Sequence, residues 1–177
     1  LILNGGKSSR MDSDKFHIQY HNKPQYLHLY HLLQNFCDEV FISCNGSQLQ
    51  LIDPSISTIV DEDNFEGPLH AIKNAYEKHQ VNWLTVPCDM PYVNKKIINK
   101  ILENNSDQLV KCTSDTEERI NPLLALYSAG NKDYLLNFSK KSATAYVKQV
   151  GYSTIKLSAL ESRNINTLAE YKKFFNN

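Results

Sequence analysis

Short apolar runs alternate along this chain with longer stretches in which apolar residues recur at helical spacing. The pattern predicts strands over residues 1–3, 40–44, 57–60, 83–86, 109–112, 123–127 and 154–157, with a further short strand at 16–20. Helices are predicted from Pro24 to about Phe36 and from Pro68 to about His79. In the second, Leu69, Ile72, Ala75 and Tyr76 share one face. Ile97, Ile98, Ile101 and Leu102 mark another apolar stripe, and residues 134–138, 143–150 and 167–175 read as helical. Pro24 suits a first helical turn, Thr167 is a candidate N-cap, and Asn45-Gly46 ends the second strand. A polar loop is expected over 113–121. Strands alternating with helices call for a mostly parallel sheet covered on both faces.

The length fits a single domain spanning 1–177, and no linker, repeat or low-complexity segment divides it. Lysine plus arginine equal aspartate plus glutamate, at 19 each, so no polyanionic partner is implied. The basic residues are scattered, which argues against a nucleic-acid footprint. No apolar run approaches the roughly 20 residues that cross a membrane, and no secretory signal is present. The chain opens inside an apparent strand, so a few residues are expected ahead of Leu1. Cys37, Cys44, Cys88 and Cys112 stand far apart in no zinc spacing; they read as small apolar residues of a reducing, cytoplasmic setting.

Polar residues collect where the predicted strands end: Asn4, Ser43, Asn45, Asp61 and Asp89. Ligands of open α/β sheets bind outside these carboxyl ends. After the first strand come Gly5-Gly6, then Arg10 and Lys15. Glycines let backbone approach a ligand, and successive N–H groups in a turn form an anion-binding hollow. With two cations nearby, this loop reads as a triphosphate cradle. It has neither the Walker nor the Gly-x-Gly-x-x-Gly spacing, and an ordinary turn is the plain structural alternative. Asp89 stands between Pro87 and Pro91, which restrict the backbone around it. A rigid carboxylate opposite a triphosphate suits Mg²⁺, while a simple turn cap is the alternative. Asp61 opens an acidic run, and Gly67-Pro68 begins a helix whose N-terminus favours anions. No histidine pair has ligand spacing, and no serine-hydrolase signature occurs.

Taken in order, these blocks resemble the molybdenum cofactor guanylyltransferases. The stretch from Leu3 to Met11, followed by Asp14-Lys15, is similar to that family's Leu-Ala-Gly-Gly, Arg-Met-Gly and Asp-Lys signature. Asn22-Lys23-Pro24 resembles its Gly-Lys-Pro, and Gly67-Pro68-Leu69 its Gly-Pro-Leu-Ala-Gly. Pro87-Cys88-Asp89-Met90-Pro91 resembles its Asp-x-Pro block, Asn121-Pro122 its His-Pro, and Asn164-Ile165-Asn166-Thr167 its Asn-x-Asn-Thr. The resemblance spans nearly the whole chain. It implies a Rossmann-like nucleotidyltransferase fold, three-layer α/β/α, that moves GMP from Mg²⁺-GTP to molybdopterin bearing molybdenum and releases pyrophosphate.

Carried over, Leu3, Asn4, Gly5 and Gly6 would line the nucleotide, with Lys15 and Arg10 on its phosphates. Asp61 would contact the nucleoside and Asp89 would hold Mg²⁺. Ser43 aligns with a base-contacting Asn, and Asn45 would share its side if the strand continues. Asn121, Asn164 and Asn166 would face the pterin. Implied partners are GTP, molybdopterin, and proteins of molybdenum insertion and molybdoenzyme maturation, with no nucleic acid or membrane. The chain departs from the family at Asn4 (Ala), Asp12 (Gly), Ala71 (Gly) and Ser43 (Asn). A CTP-dependent or sugar-phosphate transferase, or a non-catalytic nucleotide-binding partner protein, are the alternative readings.

Overall fold

The computed structural model describes residues 1–4, 18–61, 67–116 and 119–175. Seven strands form one sheet: β1 (Ile2–Leu3), β2 (Ile42–Cys44), β3 (Thr58–Val60), β4 (Trp83–Pro87), β5 (Val110–Ser114), β6 (Ile120–Tyr127) and β7 (Tyr152–Lys156). Their order is β3-β2-β1-β4-β6-β5-β7. Every neighbouring pair is parallel except those of β6, which runs antiparallel to both β4 and β5. The expected mostly parallel sheet is therefore present.

Seven α-helices accompany the strands among the described residues: α1 (Gln25–Leu33), α2 (Gly46–Leu49), α3 (Pro68–Lys78), α4 (Lys95–Leu102), α5 (Lys132–Leu136), α6 (Ala143–Val150) and α7 (Leu168–Phe175). One face of the sheet buries Ile2, Ile42, Val86 and Leu124 against Leu29 and Leu33 of α1 and the Ile97, Ile98, Ile101 stripe of α4. The other buries Leu3, Ile59, Ala125 and Tyr127 against Leu69, Ile72 and Tyr76 of α3, Leu135 of α5 and Val147 of α6. Helix, sheet and helix thus form three layers. Alternating side chains explain the division, since Leu1 and Leu3 join one core while Ile2 joins the other. A smaller cluster of Ile18, Tyr20 and Ile165 ties α7 to the segment before α1.

Several expectations change. The polar loop predicted at 113–121 is shorter, because β5 runs to Ser114 and β6 starts at Ile120. Thr113 and Ser114 are buried between β6 and β7, so tertiary pairing overrides their polarity; a register shift at Cys112/Thr113 marks the change. The strand predicted at 16–20 contributes one isolated bridge, Gln19 with Pro24, while 16–17 lie outside the described residues. The second strand starts at Ile42 and not at Val40, and it ends at Cys44, where Asn45-Gly46 predicts its end. There the Asn45 side chain accepts from Gln48 N at 2.9 Å, the Gln48 side chain accepts from Asn45 N at 3.1 Å, and α2 begins. Asn22 has φ of 57°, a left-handed conformation that Gly adopts freely and Asn tolerates. Asn can accordingly stand where Gly-Lys-Pro has its glycine.

Candidate active site

The strand order reverses between β1 and β4, because β2 and β3 lie on one side of β1 and the remaining strands on the other. Doubly wound sheets bind ligands at such a switch point, beyond the carboxyl ends. The parallel register sets Leu3 beside Ser43 and beside Pro87. Asn4 and Asp89 therefore leave the sheet along neighbouring strands. Gly5, Gly6, Arg10 and Lys15 lie outside the described residues.

On one flank sits a buried polar cluster. Ser43 is fully buried in β2, and its hydroxyl donates to Asp61 Oδ2 at 2.6 Å. Asn74 of α3 donates to the other oxygen, Asp61 Oδ1, at 3.3 Å. Asp61 is 5% exposed and anchored through its own N–H to the Cys44 carbonyl at 2.7 Å. Burial pushes the Asp61 carboxyl above the ordinary range, and the bonds from Ser43 and Asn74 pull it back part of the way. Sequence reasoning brought Ser43 and Asp61 to one site but missed Asn74. The signal was there: an Asn among Ala71, Ile72, Ala75 and Tyr76 on the buried side of α3. That helix starts at Gly67, whose φ of 101° needs glycine, with Pro68 at its first turn.

Asp89 occupies the other flank, at the end of β4. Its backbone carbonyl accepts from Ile165 N at 2.8 Å, and Asn164 Nδ2 donates to its Oδ1 at 3.3 Å. The Asn164-Ile165 turn thereby joins Asp89 from 75 residues away in sequence. Asn121 reaches the same loop, with Nδ2 at 3.3 Å from Met90 Sδ, while its Oδ1 accepts from Leu123 N and Leu124 N. Asn166 is exposed, and its N–H donates to Glu170 at 2.9 Å. Thr167 supplies the cap of α7, as expected: its hydroxyl accepts from Glu170 N at 3.2 Å and Glu170 accepts from Thr167 N at 3.0 Å. Asn45, the cap of α2, is exposed, and its side chain accepts from Gln48 N and the Ser47 hydroxyl.

The segment before α1 closes the floor beside Asp89. The Tyr20 ring meets Tyr171 and Phe174 edge-on, at centroid distances of 5.4 and 5.2 Å. Burial, and then the Asp89 charge, push the Tyr20 hydroxyl well above its usual range. His21 Nε2 lies 3.0 Å from the Pro91 carbonyl and its ring stacks on His28 at 3.9 Å. Burial, reinforced by His21, brings His28 down to about 4, so it is neutral at pH 7. Among the described residues no three His, Cys, Asp or Glu side chains come together as a metal group. The four cysteines are free thiols, three of them buried. No helix among the described residues is long and apolar enough to cross a membrane.

A model of the MobA-like NTP transferase domain matches residues 1–151. The molybdenum cofactor biosynthesis bifunctional protein of a Synechocystis strain is 37% identical over 112 residues, covering 62% of this chain and 32% of that one. A molybdenum cofactor guanylyltransferase of Pseudomonas aeruginosa is 25% identical over 177 residues, 94% of this chain and 89% of the relative. The chain spans less than two thirds of the length of several curated relatives it matches. The solved structure of molybdopterin-guanine dinucleotide biosynthesis protein A from Archaeoglobus fulgidus superposes with a TM-score of 0.80 at 16% identity, over 98% of this chain and 94% of that one, and shares the fold.

Proposed function

The chain belongs to the MobA-like NTP transferase family, and we propose that it transfers GMP from GTP to molybdopterin carrying molybdenum, with release of pyrophosphate. The observation that carries this reading is the pairing of two unlike carboxylates across the switch point. Asp61 is buried and held by Ser43 and Asn74. Asp89 stands at the end of β4, bonded by Asn164. The first suits a neutral, hydrogen-bonding ligand such as a nucleoside, and the second suits a cation.

Mg²⁺ takes one or two carboxylates and completes its shell with phosphate oxygens and water. Asp89 supplies a hard oxygen donor on a loop that Asn164 and Ile165 hold in place, and so fits that ion. When bound, Mg²⁺ would supply charge neutralisation for the triphosphate. Leu3, Asn4, Gly5 and Gly6 would line the nucleotide, and Arg10 and Lys15 would neutralise its phosphates. Ser43 and Asp61 would contact the nucleoside, with Asn45 at the rim. Asn121, Asn164 and Asn166 would face the pterin.

A terminal phosphate oxygen of the acceptor would attack the α-phosphorus of GTP. A new P–O bond forms as the bond to pyrophosphate breaks. A phosphate monoester is already largely ionised at neutral pH, so the step asks for positioning and charge neutralisation instead of a strong base.

The test is a binding panel of GTP, CTP, ATP and UTP with Mg²⁺, followed by transfer to purified molybdopterin with pyrophosphate and the dinucleotide as readouts. Preference for GTP and formation of the guanine dinucleotide are expected. Preference for CTP would redirect the reading to a cytidylyl transferase, and nucleotide binding without transfer would point to a non-catalytic role.

A further inference from the structure

Two buried carboxamides stand at the candidate nucleotide site, and among the described residues neither has a hydrogen-bond partner. Asn4, at the end of β1, is 5% exposed, and Gln25, the first residue of α1, is 1% exposed. The oxygen and nitrogen of both side chains are unpaired. Native interiors leave few buried polar atoms without a partner.

Sequence spacing brings these two groups to one level. Ile2 and Leu29 lie in the same core, on the face where α1 covers β1. From Ile2 to Asn4 the strand advances about 6.6 Å toward its carboxyl end. Asn4 returns to the Ile2 face because side chains alternate. From Leu29 back to Gln25 the helix recedes about 6 Å, one turn, and stays on the same stripe. Both steps run toward the carboxyl edge, since α1 leads back to the start of the parallel strand β2. Gln25 is also tied toward Asp89: its N–H donates to Ile18 O, Ile18 packs on Ile165, and Ile165 N–H bonds the Asp89 carbonyl.

We infer that Asn4 and Gln25 form a latch that closes when nucleotide occupies the site. In the closed state each amide N–H donates to the other's carbonyl, a reciprocal pairing that two carboxamides can make. Gln25 is a positioning residue that acts through Asn4: the pairing fixes the end of β1, where the nucleotide loop departs, against the start of α1. A ligand shifts such an equilibrium only through its differential affinity for the two states. The bonds gained on closure therefore appear as nucleotide affinity. This inference rests on the reading of the β1 end as a nucleotide site.

A double-mutant cycle on the full chain tests it, with Asn4→Ala, Gln25→Leu and the combined variant. Melting temperature without ligand and calorimetric affinity for Mg²⁺-GTP are the two readouts. In the free protein each single variant melts a few degrees higher than the parent and the increments add, since each removes an unpaired buried amide. For GTP each single variant binds roughly five- to thirty-fold more weakly, and the combined variant is within about twofold of the weaker single. The exchanged pair, Asn4→Gln with Gln25→Asn, keeps the combined length and regains most of the lost affinity. Singles that melt lower would show amides already satisfied in the free fold, for example by an ordered water, and overturn the latch. Affinity losses that add, or none, would overturn it as well, and so would an exchanged pair without rescue. GTP binding without coupling defeats the latch alone, whereas failure of all four nucleotides to bind defeats the underlying reading too.

Discussion

Ser43→Ala isolates one bond in the polar cluster and carries a pH signature. The change removes a hydroxyl and little volume, so packing around the buried position is kept. It deletes the 2.6 Å bond to Asp61 Oδ2, and Asn74 does not replace it because its 3.3 Å bond goes to Oδ1. A hydrogen bond to a charged group contributes about 1.5–3 kcal/mol. For a chain of 177 residues each kcal/mol corresponds to about 2–4 °C, so melting should fall by roughly 3–12 °C near pH 7.

The sign with pH follows from Asp61. Burial raises its carboxyl in the fold above the unfolded value. Its contribution to stability is thus fully present below the unfolded pKa and is lost as pH rises through the folded one. Ser43 opposes that rise by favouring the ionised form. Without it the folded pKa climbs further, and the variant loses more on going to neutral pH. The gap between variant and parent should be wide at pH 7 and narrow toward pH 4, measured by urea unfolding across that interval. In an Asp61→Asn background, Ser43→Ala should cost only a neutral bond, about 0.5–1.5 kcal/mol, with a flat pH profile. A gap that is constant with pH, or equal in both backgrounds, would refute the reasoning.

Asp89→Asn keeps size and removes charge, so pyrophosphate release should fall about 10²–10³-fold with little change in melting; near-normal turnover by the folded variant would remove Asp89 from the reaction. Lys15→Ala should weaken GTP about ten- to a hundredfold, the worth of a charge-assisted bond, and leave guanosine nearly untouched in calorimetry. Equal losses for both ligands would place Lys15 away from the phosphates. Thr167→Ala should cost about 0.5–2 kcal/mol of stability through the cap of α7. Asn166→Ala should leave stability near that of the parent and weaken molybdopterin binding with GTP affinity intact. Unchanged pterin affinity in that variant would leave Asn166 as a surface residue.

Periodicity gave away the sheet, the order of its elements and the strand ends where polar residues gather. The central strand β4 is a short run buried on both faces, and such a run stands out against amphipathic helices such as α4. Less visible were the places where pairing partners lie far off in sequence. Thr113 and Ser114 look like loop residues until β6 and β7 flank them. Asn45 reads only as a strand end until Gln48, three residues on, completes a capping box. In each case a contact made only in the folded chain outweighs local polarity.

The supports of the candidate site follow a different rule, and it reaches back to the sequence. Asn74 and Gln25 occupy helix positions that face the core, where the surrounding stripe is apolar. An amide there forfeits hydration, and a sequence retains it only where something offsets that loss. For Asn74 the compensation is visible as the bond to Asp61. For Gln25 none is visible among the described residues, nor for Asn4, which stands where the family has alanine. A polar residue out of phase with its own helix is therefore a site signal carried by the amino-acid pattern itself. On the proposed reading it identifies the residues that hold the Asp61 carboxylate or the end of β1 in place, which family motifs, built on the residues that touch substrate, pass over.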